Sequence, residues 1–155
     1  MGWKKQAPKL SAKEAAIGLL SRRDHGEYEL KQKLLMKEYP LDEVESALLV
    51  CHDYGYLDDL RYAQIQVRSH LAKGHGKRRI TQSLKQNQIA EHIIEQAIDE
   101  QAIDWFEQAK DTAQRKFRGQ IASDAKAYAK QVRFLQYRGF DFDQIKYALS
   151  PDEDE

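Results

Sequence analysis

The sequence predicts an all-α fold of three tandem three-helix repeats stacked into an elongated, curved body. Three observations carry the prediction: closely spaced helix-start signals, glycine and proline breaks between periodic runs, and a five-residue apolar rhythm that occurs three times. Only 41% of the 155 residues are hydrophobic while 32% are charged, so there is little apolar material to hide, and a thin array suits the composition better than a thick globule.

The elements follow in order. Residues 1–10 read as a flexible N-terminus and residues 11–54 as the first repeat. Ser11 with Glu14 opens a helix over 11–22, because a short polar side chain can accept a bond from the free amides of the first turn while the acid three places on returns one. Asp24 with Glu27 and Asp42 with Glu45 mark two further starts, and Pro40 and Gly55 two stops. The second repeat, 55–102, begins with a helix over 58–73. Asp58 and Asp59 could be paired catalytic carboxylates or metal ligands, but acids at this place suit the positive end of a helix better. Gly74 and Gly76 break the run after it. In the third repeat, 103–150, Asp104 with Glu107 starts a helix over 104–118, Gly119 stops it, and Asp141 with Gln144 starts another after Gly139. Residues 151–155, "PDEDE", form an acidic tail.

The stretch "LQYRGFDFDQIKYAL" places apolar residues at Leu135, Phe140, Ile145, Ala148 and Leu149. Leu84, Ile89, Ile94, Ala97 and Ile98 repeat that spacing, as do Leu34, Tyr39, Val44, Ala47 and Leu48. Five-residue steps fit neither one helix face nor a strand, whereas a helical corner accounts for them. The first Leu closes one helix, the residue after the break plugs the corner, and the last three line the next helix at i, i+3 and i+4. Units this small bury little alone and must stack on neighbours, which implies a binding surface more than a catalytic pocket.

Formal net charge is zero, yet no carboxylate lies between Asp59 and Glu91, where Arg61, Arg68, Lys73, Lys77, Arg78, Arg79 and Lys85 all fall. "GHGKRRI" lacks the spacing of a phosphate-binding loop, so nucleotide hydrolysis is not expected. It reads as a basic helix entry whose free amides and cations Lys77, Arg78 and Arg79 can meet phosphate together. A second stripe places Lys126, Lys130 and Arg133 on one helix face, with Ala125, Tyr128, Val132 and Leu135 on the opposite, core-facing one. Arg22 and Arg23 close the first helix and join the contact candidates, since arginine pairs bidentately with phosphate or carboxylate. Tyr54 and Tyr56 read as core aromatics. His25, His52, His70, His75 and His92 show no helical zinc-site spacing, and no metal or cofactor is expected. Cys51, the only cysteine, excludes an internal disulfide, fits a reducing compartment and reads as buried filler. No apolar run approaches the length of a membrane span, so a cytoplasmic protein without membrane contact is expected.

Four ordered segments, "LLSRRDHGEYELKQKL", "YGYLDDLRYA", "GHGKRRITQSLKQNQI" and "FLQYRGFDFDQI", resemble the RecX family, regulators of the bacterial recombinase RecA, over residues 12–149. The resemblance implies three tandem three-helix repeats and no enzyme activity. It also implies binding to the RecA filament on single-stranded DNA, along its helical groove, with suppression of ATP hydrolysis, coprotease activity and strand exchange. Double-stranded DNA is a further possible partner, and the chain is expected to act as a monomer. The middle corner departs from the family pattern, reading Asn87, Gln88, Ile89 where a glycine often precedes the Ile; Asn87 is expected to take the left-handed conformation there. Two rival readings come from other classes: a helix-turn-helix DNA-binding protein independent of RecA, and a helical scaffold that binds a protein through its acidic tail.

Overall fold

The computed structural model describes residues 9–151; residues 1–8, the bulk of the segment read as a flexible N-terminus, and residues 152–155 of the acidic tail lie outside them. Among the described residues there are nine helices and no strand: α1 (Ala12–Arg22), α2 (Glu27–Met36), α3 (Leu41–Asp53), α4 (Asp59–Ala72), α5 (Lys77–Gln86), α6 (Glu91–Asp99), α7 (Trp105–Phe117), α8 (Ala125–Tyr137) and α9 (Phe142–Leu149). The chain forms two compact units, one ending at Tyr62 and one beginning at Ala63, so the division falls within α4.

The five-residue step has a specific cause. In each corner the amide of the plugging residue donates to the carbonyl of the leucine five places earlier: Tyr39 to Leu34 at 3.4 Å, Ile89 to Leu84 at 3.1 Å and Phe140 to Leu135 at 3.2 Å. The residue before the plug is left-handed each time, with φ 69° at Glu38, 57° at Gln88 and 99° at Gly139. This is the Schellman ending, which satisfies orphan carbonyls and brings the apolar residues on either side of the turn together. The left-handed residue of the middle corner is thus Gln88; Asn87, with φ −87°, is not. All three leucines are fully buried, and so are their plugs or very nearly. Val44, Ala47 and Leu48 of α3 and Ile94, Ala97 and Ile98 of α6 are buried as the rhythm requires, while on α9 Ile145 is buried and Ala148 and Leu149 are half-buried.

In the first unit α1 packs on α3 through Ala12, Ala15 and Ala16, small residues that let the helices approach closely. Around them Leu30, Leu34, Tyr39, Val44, Leu48, Cys51 and Leu57 complete a core, with the Cys51 thiol pushed up by burial and so kept protonated. In the second unit α7 packs on α9 by the same device, with Ala109 and Ala113 joining Leu135, Phe140 and Ile145.

Three of the five expected start signals cap as read. Ser11 accepts from Glu14 N, Asp104 from Phe106 N and Glu107 N, and Asp141 and Gln144 form a complete capping box. Two do not. Pro40 is the N-cap of α3 and a start, not a stop, which leaves Asp42 in the first turn. Gly26 is the N-cap of α2, and the side chain that bonds Glu27 N, at 2.8 Å, belongs to Asp59. Asp58 caps its own helix at Arg61 N, so the two aspartates serve two different helix starts. Asp24 instead meets Arg61 at 2.6 Å, and the same guanidinium donates to the carbonyls of Gly55 and Tyr56 just past α3. Tyr54 and Tyr56 are not core residues: they stack on each other at 5.7 Å and are 65% and 47% exposed. The turn around left-handed Gly55 carries them outward, while Leu57 takes the buried position.

Candidate functional site

The candidate cations fall into three settings. In the first unit Arg22 is exposed and makes no ion pair or hydrogen bond among the described residues. Arg23 beside it is committed: its guanidinium grips both carboxylate oxygens of Glu29, at 3.0 and 2.7 Å, which holds that acid below its ordinary range despite partial burial. The Arg23 carbonyl accepts from His25 Nδ1 at 3.0 Å while Lys33 Nζ donates to His25 Nε2 at 2.8 Å, so His25 is a neutral imidazole with its proton on Nδ1. Burial lowers its pKa first, and the adjacent cations add to the effect.

The second setting is the start of α5. Gly76 N donates to Arg138 O at 2.6 Å and Arg78 N to Gly139 O at 3.3 Å, so the carbonyl end of α8 already occupies two of the amides expected to be free for phosphate. The positive end of one helix thus meets the negative end of another, which stabilises both. Arg78 and Arg79 strengthen the junction by donating to Gln136 O at 2.6 Å and Tyr137 O at 3.3 Å. A side chain at Gly76 would lie 2.5 Å from the Gly139 carbonyl group, and one at Gly139 would lie 2.6 Å from the Arg79 backbone nitrogen. Lys77 and Lys85 are exposed and, with Arg78, line an open cleft together with Thr81, Gln82, Gly139, Phe140, Asp141 and Gln144. The Gly76 and Arg78 amides are therefore not available to a phosphate, while the Lys77 and Lys85 side chains are exposed beside them.

The third setting is α8, where Lys126, Lys130 and Arg133 are all exposed as read. The face opposite is different from the expectation. Ala125 and Tyr128 are exposed, and only Leu135 is buried, with Val132 and Phe134 half-buried beside it, because the first turns of α8 extend beyond the α7–α9 core. None of the three cations lines the α5 cleft.

The histidines supply a feature that spacing rules for metal sites miss. His75 N donates to His70 O at 3.0 Å after left-handed Gly74, another Schellman ending, and this sets the two rings together with Nδ1 to Nδ1 2.6 Å. One nitrogen must donate and the other accept, so protonating both would break the contact. The His75 pKa is pushed down to about 4, first by burial, then by Arg79, His70, Arg138 and Lys73; His70 is lowered for like reasons. The unfolded chain takes up this proton near pH 6.5, so stability is full above that value and falls as pH drops toward 4. Denaturation at pH 7 and pH 4.5 is expected to differ by about 2 kcal/mol more in the parent than in His75→Gln.

A further group of cations, next to Gly74, was not among the contact candidates read from the sequence. Lys73, Arg115, Lys116 and Arg138 surround Phe134 beside Gly74 and Thr112. They lie in or just past the last turns of α4, α7 and α8, where cations favour helix ends, a signal the sequence offers. Among the described residues no group of three or more His, Cys, Asp or Glu side chains could hold a metal ion, and no helix is long and apolar enough to cross a membrane.

Comparison with known proteins places this geometry. Residues 12–49, 58–98 and 102–149 match, in order, the models described as RecX, first, second and third three-helix domain. The Regulatory protein RecX of Vibrio parahaemolyticus is 63% identical over 152 residues, covering 97% of this chain and 98% of its own. The chain belongs to the RecX family. The Regulatory protein RecX of Ectopseudomonas mendocina is 40% identical, covering 90% of this chain and 93% of its own. RecX from Lactobacillus salivarius shares the fold at 22% identity, with TM-score 0.71 over 88% of this chain and 91% of that one. A second solved structure titled regulatory protein RecX gives TM-score 0.74 at 26% identity, covering 88% of this chain and 69% of the other.

Proposed function

We propose that this RecX chain is a non-enzymatic regulator that binds the RecA filament on single-stranded DNA along its helical groove and inhibits ATP hydrolysis, coprotease activity and strand exchange. The observation that carries the reading is the 63% identity, across nearly the full length of both chains, with a protein named Regulatory protein RecX. The physical support is the set of exposed cations without an ion-pair partner among the described residues, Arg22, Lys77, Lys126, Lys130 and Arg133, which can face filament carboxylates or DNA phosphate. Arg78 and Arg79 can join them with the donors that the α8 carbonyls leave free, whereas Arg23 is held by Glu29. Inhibition is then steric and electrostatic: the bound protein blocks incoming duplex and subunit addition. The site of action is cytoplasmic, and the acting species a monomer. Added well below RecA stoichiometry to filaments already formed on single-stranded DNA, the protein is expected to lower ATP turnover. Unchanged turnover at excess protein removes the reading.

A further inference from the structure

We propose that the pocket formed by Lys73, Arg115, Lys116 and Arg138 around Phe134 binds the phosphodiester backbone of a DNA strand. The pocket lies wholly within the second unit and is open on one side, with a volume of ≈ 210 Å³. Four cations line it and no carboxylate does. Asp111, one turn before Arg115 on α7, makes no ion pair with it among the described residues.

Part of this charge answers to the fold. Arg138 donates to Lys73 O at 2.9 Å, and cations at the ends of α4, α7 and α8 offset the negative poles of those helices. Each pole amounts to roughly half an elementary charge, so three poles offset about 1.5 of the four positive charges. More than two remain, which is the complement of consecutive phosphates and exceeds what one carboxylate needs.

Two of the four cations are also held in place before any ligand arrives. Lys116 Nζ stands 5.3 Å and the Arg138 guanidinium 4.8 Å from the centre of the Phe134 ring, and Phe117 braces that ring edge-on at 5.4 Å. Held this way they lose less freedom on meeting an anion than free surface lysines do.

The proposal deepens the filament reading by assigning its DNA contact, and it rests on that reading only for its biological setting. The test therefore omits recombinase: anisotropy of a labelled oligodeoxythymidylate with the full chain over a salt series. Arg115→Gln with Lys116→Gln is expected to weaken binding about tenfold at low salt and to make the salt slope shallower by about 1.4, two contacts at roughly 0.7 each for a single strand. Arg115→Lys, which keeps the charge, should keep the slope. An unchanged slope in the double variant, with native helicity by circular dichroism, overturns the proposal and leaves the filament reading standing. Displacement of the oligonucleotide by poly-glutamate as readily as by unlabelled oligodeoxythymidylate also overturns it, in favour of an acidic protein partner.

Discussion

Gly139→Ala is expected to destabilise the second unit by about 3 kcal/mol. Two costs combine. The residue sits at φ 99°, which alanine adopts only under strain, and the new carbon would stand 2.6 Å from Arg79 N and Arg79 Cβ, where backbone cannot give way. Gly76→Ala meets the same junction from the other side, with backbone atoms of Gly139 at 2.5 Å. Either change forces the positive end of α5 away from the carbonyl end of α8 and breaks the bonds that Gly76 and Arg78 amides make there. Gly18 is the internal comparison. It lies inside α1 with nothing within 4 Å, so Gly18→Ala is expected to leave stability unchanged or raise it by about 0.5–1 kcal/mol. Urea denaturation of the three variants at pH 7 checks both signs.

Lys77→Glu with Lys85→Glu is expected to weaken filament binding by at least tenfold while leaving stability within about 0.5 kcal/mol of the parent. Lys77, Thr81 and Lys85 are spaced four apart on α5, so the two ammonium groups flank one face, and neither has an ion-pair partner among the described residues. The more obvious change, reversing Lys77, Arg78 and Arg79 together, would confound two effects. It would set carboxylates against the α8 carbonyls that Arg78 and Arg79 now cap, and the fold would suffer along with the surface. Filament cosedimentation read beside thermal melts separates the two. Full binding by the folded double variant would show that this face of α5 is not in contact.

The fold was legible because the chain states its corners in residues that have little choice. A leucine and a large apolar residue five apart, with apolar side chains at i, i+3 and i+4 beyond, describe one Schellman ending followed by one helix face. Starts were less legible because a capping carboxylate need not be local. Asp59 is near α2 only in the folded chain, and no window around Gly26 contains it. Asp24, the local candidate, was released for Arg61 by the same arrangement. Exposure of Tyr54 and Tyr56 was hidden for another reason, since the left-handed turn at Gly55 gives the inward position to Leu57.

The candidate site was legible as charge and less so as availability. Basic residues at Lys77, Arg78 and Arg79 were visible, but the occupants of the neighbouring amides come from α8, some sixty residues on. The stripe Lys126, Lys130 and Arg133 follows from helix periodicity alone and is exposed as expected. The ring of cations about Phe134 escaped because its members come from separate helix ends, each unremarkable in its own window.

The most direct measurement is the affinity of fluorescently labelled protein for RecA filaments on single-stranded DNA, set beside its affinity for the same DNA without RecA and for RecA without DNA. The account predicts binding to the filament at least tenfold tighter than to either component alone, because recombinase carboxylates and DNA phosphates then both face the exposed cations. Equal affinity for bare DNA and for the filament would contradict it, and a preference for one duplex sequence without RecA would establish a DNA reader in its place.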